Sequence, residues 1–386
     1  MTKLRGSRLK DVRLRERRRI TAGIEHHGGP SWSPDGQLLC SALGTGHSSM
    51  WLVTDRKGRV ARLIEGPVDG GASFGPDHAL AYGRQVGATA EIWLMPSIDG
   101  APYRLLGGDG RLYRDPAFSP DGSTLAYLAD DGPAAVDGTL RLWLLDLAKN
   151  ETTLLLSELS WGPVSPEPVR ISRPRWSTDA QYLFFEGSKG KETALFLIDP
   201  HSRQVRQVSE AGYCHPAPLT TALLIAQRLC GEKYTELVLM EYRAPRGHEN
   251  ASAEDLLQRR VVALTGRSEG AREPAVAISK KGTPLLAWSM SSAAAEGEPT
   301  RHNLHVGELR GVAVAAPELS QQALLESEEE SVARESEAAS AGLSATVPVS
   351  RGESSRREGG ASSERPVPSS VGPLWDEAPA DAERGV

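Results

Sequence analysis

One short pattern recurs along the 386 residues. It is an aromatic residue followed by Ser-Pro-Asp-Gly. Trp32-Ser33-Pro34-Asp35-Gly36 and Phe118-Ser119-Pro120-Asp121-Gly122 are full copies. Phe74-Gly75-Pro76-Asp77 and Trp176-Ser177-Thr178-Asp179 are variants, and Pro218 and Val276 mark degenerate ones. The anchors at 32, 74, 118, 176, 218 and 276 stand 42, 44, 58, 42 and 58 residues apart. The tetrad has a local cause. Proline presets φ at the second turn position, aspartate suits the third and glycine tolerates the fourth. Asp35, Asp77, Asp121 and Asp179 therefore read first as turn residues.

Five of the anchors are followed by three short apolar runs, and the sixth by two. After Trp32 they cover 38–40, 51–55 and 60–64; after Phe118 they cover 125–128, 142–146 and 152–156. With the strand that carries the anchor, a unit holds four strands in roughly 40–45 residues, which is the period of a propeller blade. Six anchors predict an all-β, six-bladed β-propeller. The sixth unit lacks an obvious fourth strand. Arg18-Arg19-Ile20-Thr21 matches Val262-Ala263-Leu264-Thr265, so the N-terminal segment is expected to complete that blade and leave no free edge. The predicted domains are a basic arm at 1–17, the propeller at 18–316 and an acidic tail at 317–386.

The tail carries 14 acidic and 6 basic residues, with few bulky apolar ones. Such a composition cannot bury enough surface to offset chain entropy, and disorder is expected there. Residues 1–19 hold nine basic and two acidic residues, a charge suited to an anionic partner. The net charge of -6 excludes a uniformly basic nucleic-acid binder. Cys40, Cys214 and Cys230 form neither a disulfide framework nor a zinc knuckle by spacing. No run approaches the roughly 18–20 apolar residues of a membrane helix. A leader with an apolar core is absent from the N-terminal residues as written, so a cytoplasmic, monomeric chain is expected, periplasmic if translation starts further upstream.

These Trp-Ser-Pro-Asp-Gly anchors, with a later strand of the Ile92-Trp93-Leu94 type, resemble the TolB-like six-bladed β-propellers with WD40-like repeats. The resemblance covers about residues 18–312. It implies the fold directly. For function it implies several roles: periplasmic partner of lipoproteins, substrate gate of serine peptidases, and in a few cases lyase.

Catalytic signatures are weak. Gly46-His47-Ser48-Ser49-Met50 fails the nucleophile-elbow pattern at its last position. Gly107-Gly108-Asp109-Gly110 is followed by no Lys-Ser/Thr. No cofactor is expected. Inter-blade connections are where His26, His27 and His215 are placed, two ligand positions where a catalytic metal takes about three. Long connections at 129–139, 157–173 and 290–301 share one face of a propeller, and only 243–259 lies opposite. Long loops on a rigid scaffold carry recognition. The candidate binding residues are His26, His27, Tyr113, Arg114, Tyr213 and His215, together with Trp161 in the proline-rich connection. The expected function is non-catalytic binding of a protein or peptide on that face. The alternatives are a metal-dependent carbohydrate lyase or hydrolase at the channel mouth, and a cell-envelope relative of TolB.

Overall fold

The structure is a computed structural model. It describes residues 9–21, 26–43, 48–53, 59–66, 68–132, 139–161, 168–231, 234–243, 258–267, 270–279, 282–292 and 301–312. The acidic tail and the first eight residues lie outside that set.

A single 3-10 turn, Leu9–Asp11, precedes β1 (Arg13–Arg19). Blade 1 is β2 (His26–Trp32), β3 (Leu38–Leu43), β4 (Ser48–Val53) and β5 (Val60–Ile64). Blade 2 is β6 (Val68–Phe74), β7 (Leu80–Val86), β8 (Thr89–Met95) and β9 (Tyr103–Leu106). Blade 3 is β10 (Tyr113–Phe118), β11 (Thr124–Ala129), β12 (Arg141–Asp146) and β13 (Glu151–Leu156). Blade 4 is β14 (Arg170–Trp176), β15 (Leu183–Lys189), β16 (Glu192–Ile198) and β17 (Val205–Gln207). Blade 5 is β18 (Tyr213–Pro218), β19 (Leu223–Cys230), β20 (Tyr234–Tyr242) and β21 (Gln258–Ala263). Blade 6 is β22 (Ala271–Ile278), β23 (Pro284–Ser292) and β24 (Arg301–Arg310), with β1 as its outer strand. All pairings are antiparallel and sequential except that of β1 with β24. The inner strands β2, β6, β10, β14, β18 and β22 each touch the next, and β22 touches β2, which closes the ring.

The middle strands read as continuous apolar runs because both of their faces are buried. Six apolar clusters, among the described residues, fill the six blade-to-blade interfaces. Leu38 and Cys40 face blade 6, whereas Leu39 between them faces blade 2. On β23, Leu286 and Trp288 pack on blade 5, and Leu285 and Ala287 on blade 1.

Each anchor does two jobs. In the turn, Ser33, Ser119 and Ser177 donate their hydroxyls to Asp35, Asp121 and Asp179. The same oxygens accept the amides of Gln37, Thr124 and Tyr182 at 2.8–3.0 Å. Asp77 is exposed in the equivalent turn. The aromatic ends the inner strand and packs between blades, as Phe74 and Phe118 do. Trp32 and Trp176 also donate their indole N–H groups to Ala275 and Ala117 of the preceding blade, at 3.2 and 3.1 Å.

The closing strand starts earlier than the sequence comparison placed it: it begins at Arg13, not Arg18, so part of the basic arm is sheet. The matched residues are nonetheless equivalent. Thr21 Oγ1 accepts the Leu304 amide at 2.9 Å, as Thr265 Oγ1 accepts that of Leu237 at 2.9 Å. Ile20 N–H donates to Leu304 and Leu264 N–H to Leu237, at 2.7 and 2.8 Å. Arg13, Arg15, Arg17 and Arg19 are exposed along β1, the outermost strand, where charge discourages pairing with other chains.

Candidate functional site

The inner strand of every blade carries a bulge at one position, three residues before its anchor. The bulge residues are Gly29, Gly71, Asp115, Arg173, His215 and Glu273, all with φ between 50° and 62°. The ladder register shifts there in all six inner strands. In five blades the next residue is proline, at 30, 116, 174, 216 and 274. A bulge leaves residues out of the ladder, and proline has no N–H to leave unpaired there. Four non-glycine residues hold a left-handed backbone, a strained state that clusters at ligand sites.

In four blades the amide of the bulge residue is satisfied from the preceding blade. Glu273 accepts from Gly29 at 2.8 Å, Asp115 from Arg173 at 3.2 Å, Glu186 from His215 at 3.1 Å and Gln227 from Glu273 at 3.2 Å. Asp115 also lies over Gly71, where a Cβ would come within 2.8 Å of its carboxylate. Arg173 and Glu273 approach to 3.8 Å although blade 5 lies between their blades. Such a contact is made across the central channel. Blades 1 and 2 present glycine at this level, and blades 3 to 6 present charged or titratable side chains.

His215 stands between these charges. Burial, then Arg173, Arg175 and Arg272, hold its imidazole well below the ordinary histidine range, so it is neutral at physiological pH. Burial pushes the Glu186 carboxyl up, and burial followed by the Glu186 charge pushes the Cys214 thiol up.

The candidate residues read from the sequence separate into two groups. His215 lies on the channel wall, in strand β18 and not in a connection. His26 and His27 are likewise in strand, on β2 opposite Leu43 and Ala42; their side chains lie outside the described set. Arg114 is half-buried on β10, next to the Asp115 bulge. Tyr113 and Tyr213 are core residues, 6% and 5% exposed. Tyr113 donates to Asp109 at 2.7 Å and packs on Tyr127. Trp161 packs edge-on against Phe196 with ring centroids 5.8 Å apart, in the interface of blades 3 and 4. Sequence reasoning missed Asp115, Arg173, Glu186, Gln227 and Glu273. A readable signal existed for three of them: a residue followed by proline, three before each anchor.

No family model matches the chain, and no curated protein matches its sequence. Solved structures do match its fold. TolB from Acinetobacter baumannii superposes with a TM-score of 0.50 at 15% identity, over 66% of this chain and 58% of its own. The putative TolB from Agrobacterium tumefaciens gives a TM-score of 0.50 at 16% identity, over 75% of this chain and 93% of its own. The present chain thus spans 58% of the length of the Acinetobacter protein. A closed ring of six four-stranded blades defines the class as a β-propeller. Within that class its six-bladed fold is similar to that of the TolB propellers. Among the described residues no helix is long and apolar enough to cross a membrane.

Proposed function

We propose that this propeller is a non-catalytic binding scaffold that receives a protein or peptide segment at its channel, from the face bearing the long connections. The observation that carries the reading is the Arg173–Glu273 contact among the bulges of blades 3 to 6. Side chains from several blades converge there on a rigid frame, with both signs of charge within reach of an incoming chain. The strand ends Ala129 and Arg141, Leu156 and Arg170, and Ser292 and Arg301 lie on one face by blade topology, around the same axis, and the long connections between them fall largely outside the described residues.

A random-peptide display selection against the immobilised full chain tests this. Enriched peptides are expected to carry charged residues. Their affinity is expected to fall about tenfold or more, the scale of one well-placed charge contact, in an Arg173→Glu/Glu273→Arg variant measured at a temperature where it is folded. Peptides that bind both proteins equally, or no enrichment at all together with turnover of an oligosaccharide, would overturn the reading.

A further inference from the structure

Blade 5 differs from the other five at its bulge. There alone the two residues entering the bulge are a cysteine and a histidine. The equivalent pairs elsewhere are Gly28 and Gly29, Gly70 and Gly71, Arg114 and Asp115, Ser172 and Arg173, and Arg272 and Glu273. In a regular strand, consecutive side chains point to opposite faces. The left-handed backbone at His215, φ 53°, breaks that alternation and brings residues 214 and 215 to one point. Glu186 of blade 4 joins them. One carboxylate oxygen of Glu186, the Cys214 sulfur and one ring nitrogen of His215 all lie within 4.8 Å of one another.

We propose that Glu186, Cys214 and His215 bind a divalent cation of the zinc type in the channel wall. This site goes beyond the peptide-binding reading and stands independently of it. The donor set selects the ion class. Sulfur, imidazole nitrogen and carboxylate oxygen together suit zinc, whereas calcium and magnesium take oxygen ligands. Tetrahedral zinc, with bonds of about 2.0–2.3 Å, holds its ligands roughly 3.3–3.8 Å apart. The 4.8 Å bound on the present spread lies about 1 Å above that range. Both ring nitrogens of His215 are shielded from solvent and have no hydrogen-bond partner among the described residues. A buried imidazole with neither nitrogen paired is rare and points to a ligand. Glu186 meanwhile accepts the His215 amide at 3.1 Å, which fixes the two ligands relative to each other.

The surrounding charge permits a cation only with the thiolate. Arg173, Arg175 and Arg272 face His215, and Asp115, Glu186 and Glu273 offset them. The ion adds two positive charges, and loss of the Cys214 proton to solvent removes one. Cys214 is therefore the decisive ligand. Three protein ligands leave the fourth tetrahedral position to a water or a further ligand.

The test uses the full chain without an affinity tag, stripped with chelator and desalted. Zinc is titrated in competition with a chromophoric chelator, and cobalt is titrated by absorbance. We expect one ion per chain and a thiolate-to-cobalt charge-transfer band. Cys214→Ser should abolish the band, and both it and His215→Ala should weaken zinc at least tenfold. Cys230→Ser should change neither. Zinc should raise the melting temperature of the wild type and not that of Cys214→Ser. Should Cys214→Ser fail to fold, Glu186→Gln keeps the side-chain volume and should still weaken zinc about tenfold. Absence of stoichiometric zinc, or a band that survives Cys214→Ser and is lost in Cys230→Ser, overturns the proposal. Neither result bears on peptide affinity in the Arg173→Glu/Glu273→Arg variant, so the two readings fail separately.

Discussion

Arg173 of blade 4 meets Glu273 of blade 6 across the channel, Nη2 to Oε1 3.8 Å. Glu273 uses its other oxygen on the amide of Gly29 in blade 1, so one carboxylate ties three blades together. Both side chains are about a third exposed, at 37% and 28%. Solvent screening then limits the ion pair to about 0.5–1 kcal/mol. A double-mutant cycle of Arg173→Gln and Glu273→Gln, measured by urea denaturation, should return a coupling of that size at low salt and less at high salt. Zero coupling at low salt would mean that the two groups do not meet.

The ring closes through the hydroxyl of Thr21, which accepts the amide of Leu304, 283 residues away in the chain. Thr21→Val keeps the shape and strands a buried N–H. The expected cost is about 1–3 kcal/mol, read from denaturant midpoints. Deleting residues 1–22 removes β1 altogether and exposes β24 as an edge, so aggregation or strand exchange is expected. A soluble, monomeric deletion product with the wild-type melting temperature would contradict this closure.

Blade anatomy was legible because the Ser-Pro-Asp-Gly turns and the aromatic anchors obey local rules, repeated along the chain. The closing strand was legible for the same reason, since Thr21 copies the hydrogen bond of Thr265. Its true start at Arg13 was hidden, because RLRERRR has no apolar alternation; pairing with β24, Leu14 against the blade 5–6 cluster and Arg17 over the Trp288 ring hold it in place. The channel residues were hidden for a different reason. Asp115, Arg173 and Glu273 are ordinary surface types whose meaning comes from partners one or two blades away. Glu186 sits inside an apolar middle strand, and its role depends on His215 of the next blade.

Two glycines with the same backbone separate strain from crowding. Gly71 and Gly87 have φ of 62° and 61°. A Cβ at Gly71 would come 2.8 Å from Asp115 Oδ1, whereas one at Gly87 meets nothing within 4 Å. Gly87→Ala should cost only the left-handed penalty, about 1–2 kcal/mol. Gly71→Ala should cost more and should also disturb Asp115. Equal losses of thermal stability in the two variants would show that Asp115 is not held above blade 2.

The turn carboxylates give a pH signature. The hydrogen bond from Ser119 is the largest of the contacts that hold the Asp121 carboxyl below the usual carboxylate range. Its folded pKa is therefore below the unfolded one. The resulting stability is present above the ordinary value of about 4 and is lost as pH falls through the folded value. Ser119→Ala should thus be less stable than wild type at neutral pH, and the gap should narrow below about pH 4. A gap that stays constant with acidification would assign the loss to packing rather than to the carboxylate.

The most direct test of the binding account is where a bound peptide lies. A photo-crosslinking side chain at position 173, in the channel, is compared with one at position 103, which is 47% exposed on the outer strand of blade 2. With a display-selected peptide, crosslinks are predicted from position 173 and not from position 103. Crosslinking from position 103 alone, or equally from both, would place the peptide on the rim and contradict a channel binding site.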